Sequence, residues 1–212
     1  MQTVTPVREL PEYYIALEEQ YGAHNYHPLP VVLERGEGVF LWDVEGKRYY
    51  DFLSGYSAVN QGHCHPRITE TFIKQAQQLT LTSRAFYNNR LGPYEQFMTR
   101  IFGYDKLLAM NTGVEAVESA IKLARRWGYE VKGVEENKAV IVVCNDNFHG
   151  RTSTVISFSS DSGAKRNFGP YMPGFVSIPF SDADALEMVL KDKNVVAFLV
   201  EPMQGEAGII LP

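Results

Sequence analysis

Two uninterrupted apolar runs constrain this chain more than any other feature: Ala139-Val140-Ile141-Val142-Val143-Cys144 and Val195-Val196-Ala197-Phe198-Leu199-Val200. A strand with one wet face alternates apolar and polar residues. Six apolar residues in a row, many of them β-branched, fit a strand covered on both faces. Residues 175–178 offer a third, shorter strand. Residues 182–190 carry a helical pattern that Asp182 can cap. Residues 152–158 are ambiguous, because their apolar positions fit neither period. Strands alternating with helices, with the strands apolar throughout, imply an α/β fold. We expect three α/β/α layers around a mostly parallel sheet.

A corner precedes these strands. Residues 107–110 form a short apolar run, long enough for a buried strand. Val117, Ile121, Ala124 and Gly128 then recur at helical spacing. The corner between them reads Asn111-Thr112-Gly113-Val114-Glu115-Ala116. Thr112 suits an N-cap, and Glu115 three residues on completes a capping-box pattern. The first amides of a helix lack internal partners and lie at the positive end of its dipole, so an anion such as phosphate fits there. The same six residues also fit a well-capped helix that binds nothing.

The first third of the chain is different. Residues 11–21 open on a proline and stop at Gly22, as a helix would. Residues 23–30 are aromatic and punctuated by proline, which suits an ordered loop. Residues 31–34, 39–42 and 47–52 look like three short strands, with Val44-Glu45-Gly46 turning between the last two. Residues 54–65 form a loop. Helices should follow from Pro66, with Ile68, Phe72, Ala76 and Leu79 on one face, and from about Pro93 to Gly103, with Tyr94, Phe97 and Ile101 inward.

With 212 residues, 45% hydrophobic, the chain can bury a real core as one large domain, or one domain plus a small one. Net charge is -5 with no basic block, which argues against nucleic acid or an anionic membrane as the main partner. No apolar run approaches a membrane span. Residues 1–10 have no apolar signal region and one basic residue, Arg8, so neither a secretory nor a mitochondrial signal is expected. Cys64 and Cys144 are too few for a disulfide framework, which makes a reducing, cytoplasmic setting the default.

In open parallel sheets, ligands bind beyond the carboxyl ends of the strands. Three loops leave such ends: the corner at Gly113, Asn145-Asp146-Asn147-Phe148-His149-Gly150-Arg151-Thr152, and Glu201-Pro202-Met203-Gln204-Gly205-Glu206-Ala207-Gly208. Together they offer an anion hole, an aromatic face, a guanidinium and two carboxylates. Such a set suits a flat, phosphorylated, zwitterionic ligand better than a nucleotide, and neither a Gly-x-Gly-x-x-Gly fingerprint nor a P-loop is present. Taken singly, Phe148 also fits a core aromatic, Arg151 a surface cation, Tyr26 and Tyr56 packing tyrosines, and Glu201 and Glu206 solvated carboxylates.

Five stretches in order resemble one family. They are Tyr21-Gly22-Ala23-His24-Asn25-Tyr26, Tyr56-Ser57-Ala58-Val59-Asn60-Gln61-Gly62-His63, Leu81-Thr82-Ser83-Arg84-Ala85-Phe86-Tyr87-Asn88, the corner, and the loop from Glu201. The chain resembles the N-terminal half of a class III aminotransferase of the fold-type-I pyridoxal-phosphate enzymes, over about residues 11–212, and most of all that class's ornithine-acting branch. The resemblance implies pyridoxal 5'-phosphate as cofactor, amino-acid and 2-oxo-acid substrates, and a homodimer at full length. It implies that Thr112, Gly113 and Val114 hold the cofactor phosphate, that Phe148 stacks on its ring, and that Glu201 lies under the site. It also implies that Arg151 takes the substrate carboxylate, that Tyr26 and Tyr56 orient the ornithine end, and that Glu206 is a charge switch. Residues 1–65 would be part of a small domain, and residues 66–212 the first part of the cofactor-binding large domain. His63-Cys64-His65 invites a metal reading, but no carboxylate accompanies it in sequence and the family uses no metal there.

One departure matters. The family needs a lysine that bonds the cofactor and moves the substrate proton, and a carboxylate against the pyridine nitrogen. Both are expected after Glu206, on strands outside these residues. None of the lysines at 47, 74, 106, 122, 132, 138, 165, 191 and 193 follows a strand in a comparable motif. The expectation is therefore a fragment or split piece, inactive alone, whose sheet ends on a bare strand. Another class III member, acting on acetylornithine or 4-aminobutyrate, and a non-catalytic subunit are the alternatives.

Overall fold

The computed structural model describes residues 10–212, which form two compact units, one ending at Gly92 and one spanning Pro93–Pro212. The reading of the extreme N-terminus as free of a signal therefore falls on residues outside the described ones, apart from Leu10.

The first unit opens with α1 (Pro11–Tyr21), which ends where the Gly22 amide donates to the Glu18 carbonyl at 2.7 Å. Three strands follow, β1 (Leu33–Glu37), β2 (Phe40–Asp43) and β3 (Arg48–Tyr50), paired antiparallel in that order. β1 starts later than its apolar residues suggest. The register explains this: Glu37 faces Phe40 across a turn at Gly38, whose φ of 57° only glycine adopts cheaply. The turn between β2 and β3 lies where expected, and Asp43 builds it. Its buried carboxylate accepts the amides of Glu45 (3.0 Å) and Lys47 (2.8 Å) and the Tyr49 hydroxyl (2.7 Å). The Tyr49 hydroxyl, helped by these amides and opposed by burial, holds the Asp43 carboxyl below its ordinary value. α2 (Pro66–Gln78) closes the unit. Its apolar stripe is present, but Ile68 and Phe72 stay exposed.

The boundary falls in the first turn of α3 (Leu91–Phe102), which stops at Gly103. Here too the residues expected inward, Tyr94, Phe97 and Ile101, are exposed. Residues 107–110 correct another expectation: they belong to no helix or strand among the described residues, and Leu108 is exposed. Four apolar residues make a strand only where a neighbour completes the ladder.

α4 (Gly113–Glu130) comes next, then β4 (Val140–Cys144), α5 (Ser153–Ser157), α6 (Ser162–Lys165), β5 (Phe175–Ile178), α7 (Ala183–Val189) and β6 (Val195–Leu199). The sheet order is β5-β4-β6 and both pairings are parallel. Its alternate faces each bury a cluster. Ile141 and Val143 of β4 pack with Ile121 of α4 and with Val155 and Phe158 around α5. Val142 and Cys144 pack with Ile178 and Val195, against Ala185, Leu186 and Val189 of α7. The α/β/α layering follows directly from β4 being apolar at every position. Ile141, Val142, Val143 and Val155 are almost wholly buried, each a contribution of roughly 1.5–3 kcal/mol. Tertiary burial of Thr154, Val155 and Ile156 resolves the ambiguous stretch as the short helix α5.

Candidate functional site

The site is built in the second unit, where three loops meet at one end of the sheet. The first is the corner before α4. The Thr112 hydroxyl accepts the Glu115 amide (3.2 Å), and the Glu115 carboxylate accepts the amides of Asn111 (2.8 Å) and Thr112 (3.2 Å). This is the capping box that the spacing predicts. The Glu115 amide is thus taken by the cap, and the Ala116 amide reaches the Thr112 carbonyl at 3.2 Å. Helix geometry leaves the Gly113 and Val114 amides without intrahelical acceptors, at the positive end of an 18-residue helix. A Cβ built on Gly113 would meet nothing within 4 Å, so its backbone is open to a ligand. These observations fit a phosphate.

The second loop leaves β4. Asn147 is buried and pins it, donating from Nδ2 to the carbonyls of Cys144 (2.6 Å) and Phe158 (3.2 Å). Phe148 follows, 37% exposed, with the Arg151 guanidinium 5.1 Å from its ring centroid. That spacing is within cation–π range. His149 is half-buried, and its Nε2 has no hydrogen-bond partner among the described residues. Burial pushes its imidazole below the ordinary value, and the nearby Glu201 carboxylate partly offsets this. Burial also pushes the Cys144 thiol up, with Glu201 adding to the effect.

The third loop leaves β6 beside the second, because β4 and β6 are neighbours. Glu201 accepts the Phe148 amide at 3.1 Å. Gln204, only 3% exposed, donates to the Asn145 carbonyl at 2.6 Å. Its backbone pairs with Ile210 in both directions (3.0 and 2.9 Å), which closes the turn that presents Glu206 to solvent.

The corner and the second loop also interlock. Gly150 sits at a φ of 122°, and a Cβ there would lie 2.5 Å from Val114 Cγ2. The Thr152 hydroxyl bonds the Glu118 carboxylate one turn into α4. Of the residues singled out in the sequence, Thr112, Gly113, Val114, Phe148, Arg151, Glu201 and Glu206 thus lie in one unit, on loops joined by direct contacts. Tyr26 and Tyr56 belong to the first unit; Tyr26 lies in the segment after α1 and Tyr56 in the loop after β3, both exposed. Sequence reasoning passed over Asn147, Gly150 and Gln204. A glycine two residues after a candidate aromatic was the available signal for the close approach of Val114.

An apolar hollow of about 320 Å³ lies on the α7 face, lined by Ile178, Phe180, Leu186 and Phe198, with Glu201 at its edge. Neither the Gly113 corner nor Phe148 lines it, so it is separate from the anion corner. Among the described residues no cluster of three or more His, Cys, Asp or Glu is placed to hold a metal, and no helix is long and apolar enough to cross a membrane.

Comparison with known proteins bears on this arrangement. The family model "Aminotransferase class-III" matches residues 21–212. The mitochondrial ornithine aminotransferase of Rattus norvegicus is 61% identical over 201 residues, covering 95% of this chain and 46% of the rat protein. The ornithine aminotransferase of Toxoplasma gondii, in a structure with partial occupancy of PLP at the active site, aligns at a TM-score of 0.94 with 50% identity, covering 96% of this chain and 48% of that one. An acetylornithine aminotransferase from Elizabethkingia anophelis aligns at 0.81 with 57% identity, covering 96% and 47%. The chain spans about half the length of the curated relatives it matches. With the match running over nearly all its residues, the chain belongs to the class-III aminotransferase family.

Proposed function

We propose that this chain carries the cofactor-phosphate and substrate-carboxylate half of a pyridoxal-phosphate transaminase that moves the δ-amino group of ornithine to 2-oxoglutarate, giving glutamate semialdehyde and glutamate. The interlock of the three loops is the observation that carries this reading: Val114 against Gly150, Phe148 on Glu201, Gln204 on Asn145. It supports one small ligand being shared by the α4 N-terminus and Phe148.

In this reading the amides at Gly113 and Val114, with Thr112, hold the phosphate of pyridoxal 5'-phosphate. Phe148 covers the pyridine ring and keeps its plane fixed. Glu201 anchors the Phe148 backbone by accepting its amide. Arg151 binds the substrate carboxylate, for which a guanidinium fork is suited. Tyr26 and Tyr56 orient the distal amine, and Glu206 discriminates between the two substrates by charge. When bound, the cofactor supplies an aldehyde for the amino group and a ring that accepts electrons.

We read residues 1–65 as part of a small domain and 66–212 as the start of the large one. Lacking a lysine in the expected context, this chain alone would bind the cofactor without turning it over. Incubation with pyridoxal phosphate and borohydride should leave no single lysine modified; a specific adduct overturns that point. At the relatives' full length, carrying these residues, the protein should form a homodimer by sedimentation and transaminate ornithine. Acetylornithine as donor is the second reading, favoured by the 57% identity to the Elizabethkingia protein. A donor panel decides between them. A cytoplasmic setting rests on the two free thiols, one exposed and one buried. The rat relative is named mitochondrial, so cell fractionation is the test.

A further inference from the structure

The loop that carries Tyr56 has an unusual backbone. Ser54, Gly55, Tyr56 and Ser57 all have positive φ, at 52°, 56°, 57° and 68°. Three of these four are not glycine, and L-residues visit this region only under constraint. The constraint is visible on both sides of the loop. At its entry, Asp51 Oδ1 accepts the amides of Leu53 (2.9 Å) and Ser54 (2.8 Å). At its exit, His63 Nε2 bonds Asp51 Oδ2 at 2.6 Å. His63 is itself fixed twice more. Its backbone exchanges two hydrogen bonds with Gly38 (3.0 and 2.8 Å), and its ring lies against Gly36, where a Cβ would come within 2.7 Å of His63 Cγ. One carboxylate therefore ties both ends of the loop, and the sheet has a glycine where the imidazole must rest.

We propose that Asp51 and His63 are positioning residues that clamp the 54–62 loop and hold Tyr56 in its left-handed backbone, so setting where the tyrosine meets the amino donor. The clamp stands on the geometry of the first unit alone. Its consequence for substrate rests on the transaminase reading above.

Amide hydrogen exchange on the 212-residue chain tests the clamp. Asp51→Ala and His63→Ala should speed exchange at Ser54 and in the following turn at least tenfold, with little change in α4 or β4. His63→Gln keeps a side-chain N–H donor and should recover most of the protection. Gly36→Ala should mimic His63→Ala, because it displaces the ring while leaving both partners in place. Unchanged exchange in Asp51→Ala and His63→Ala overturns the clamp. So does loss of protection across the whole chain, equal in His63→Gln and His63→Ala, which would mark a merely structural role. In a protein of the relatives' full length carrying these residues, His63→Ala should raise KM for the amino donor about tenfold, while KM for the oxo acid and kcat change less than twofold. Faster exchange with an unchanged donor KM overturns the positioning role. Absence of transamination by the unsubstituted full-length protein counts against the transaminase reading alone, since the exchange result decides the clamp by itself.

Discussion

Gly150→Ala is the sharpest single perturbation of the site. At a φ of 122° an alanine is strained wherever it finds space, which costs about 1–3 kcal/mol. Space is also lacking. The new Cβ would lie 2.5 Å from Val114 Cγ2 and 2.8 Å from Val114 Cβ, and the latter cannot swing away without moving the first turn of α4. Overpacking of this kind adds about 1–3 kcal/mol. We expect a total loss of about 2–6 kcal/mol, a large share of the ~5–15 kcal/mol that typically holds a domain together. With a urea slope of about 2 kcal/mol/M, the midpoint should fall by about 1–3 M. Val114→Gly removes the obstructing Cβ together with its methyls, leaving Val114 Cα at an ordinary 3.6 Å, and keeps the backbone strain at residue 150. In that background Gly150→Ala should therefore cost only about 1–3 kcal/mol. Urea denaturation of the four proteins in the cycle measures the coupling. If the two substitutions add to within about 0.5 kcal/mol, Gly150 and Val114 do not touch, and the argument that the corner and the Phe148 loop form one site fails.

Other expectations follow from the same contacts. Thr112→Ala removes the acceptor for the Glu115 amide and should cost about 1 kcal/mol in a urea melt, with Thr112→Ser close to the parent. Asp43 titrates below its ordinary value when folded. Its contribution is complete above about pH 4 and is lost as pH falls through the depressed value, so Asp43→Asn should flatten the fall of Tm between pH 5 and 2. His149 also titrates low when folded, so the unfolded chain takes up its proton first. The stability it contributes is complete above about pH 6.5 and declines as pH falls below that; His149→Gln should remove this slope from Tm measured between pH 8 and 5.

Features set by neighbouring residues were legible in the sequence. The capping box at Thr112 and Glu115, the cap at Asp182 and the helix from Pro11 to Gly22 are local chemistry, and each stands where its residues put it. The wholly apolar β4 announced both its burial and the layers on its two faces. Features that depend on distant partners were not legible. Residues 107–110 are apolar enough for a strand yet pair with nothing among the described residues. The 152–158 stretch became helical because α4 and the sheet bury it. The start of β1 followed the turn at Gly38 rather than its own apolar residues. At the site, Phe148 and Arg151 could be singled out by type. Gln204 reaching Asn145 across 59 residues, or Gly150 yielding space to Val114, could not, since no local pattern encodes a contact between loops.

Titration of the 212-residue chain with pyridoxal 5'-phosphate, followed by the ³¹P resonance, tests the central claim most directly. We predict saturable binding that inorganic phosphate competes away. Gly113→Asp should abolish it by setting a carboxylate where the phosphate belongs, and Phe148→Ala should weaken it about tenfold, the loss of roughly 1.4 kcal/mol of ring contact. No saturable binding by the unsubstituted chain, or equal affinity in the Phe148→Ala protein, would contradict a phosphate held at the head of α4 beside that ring.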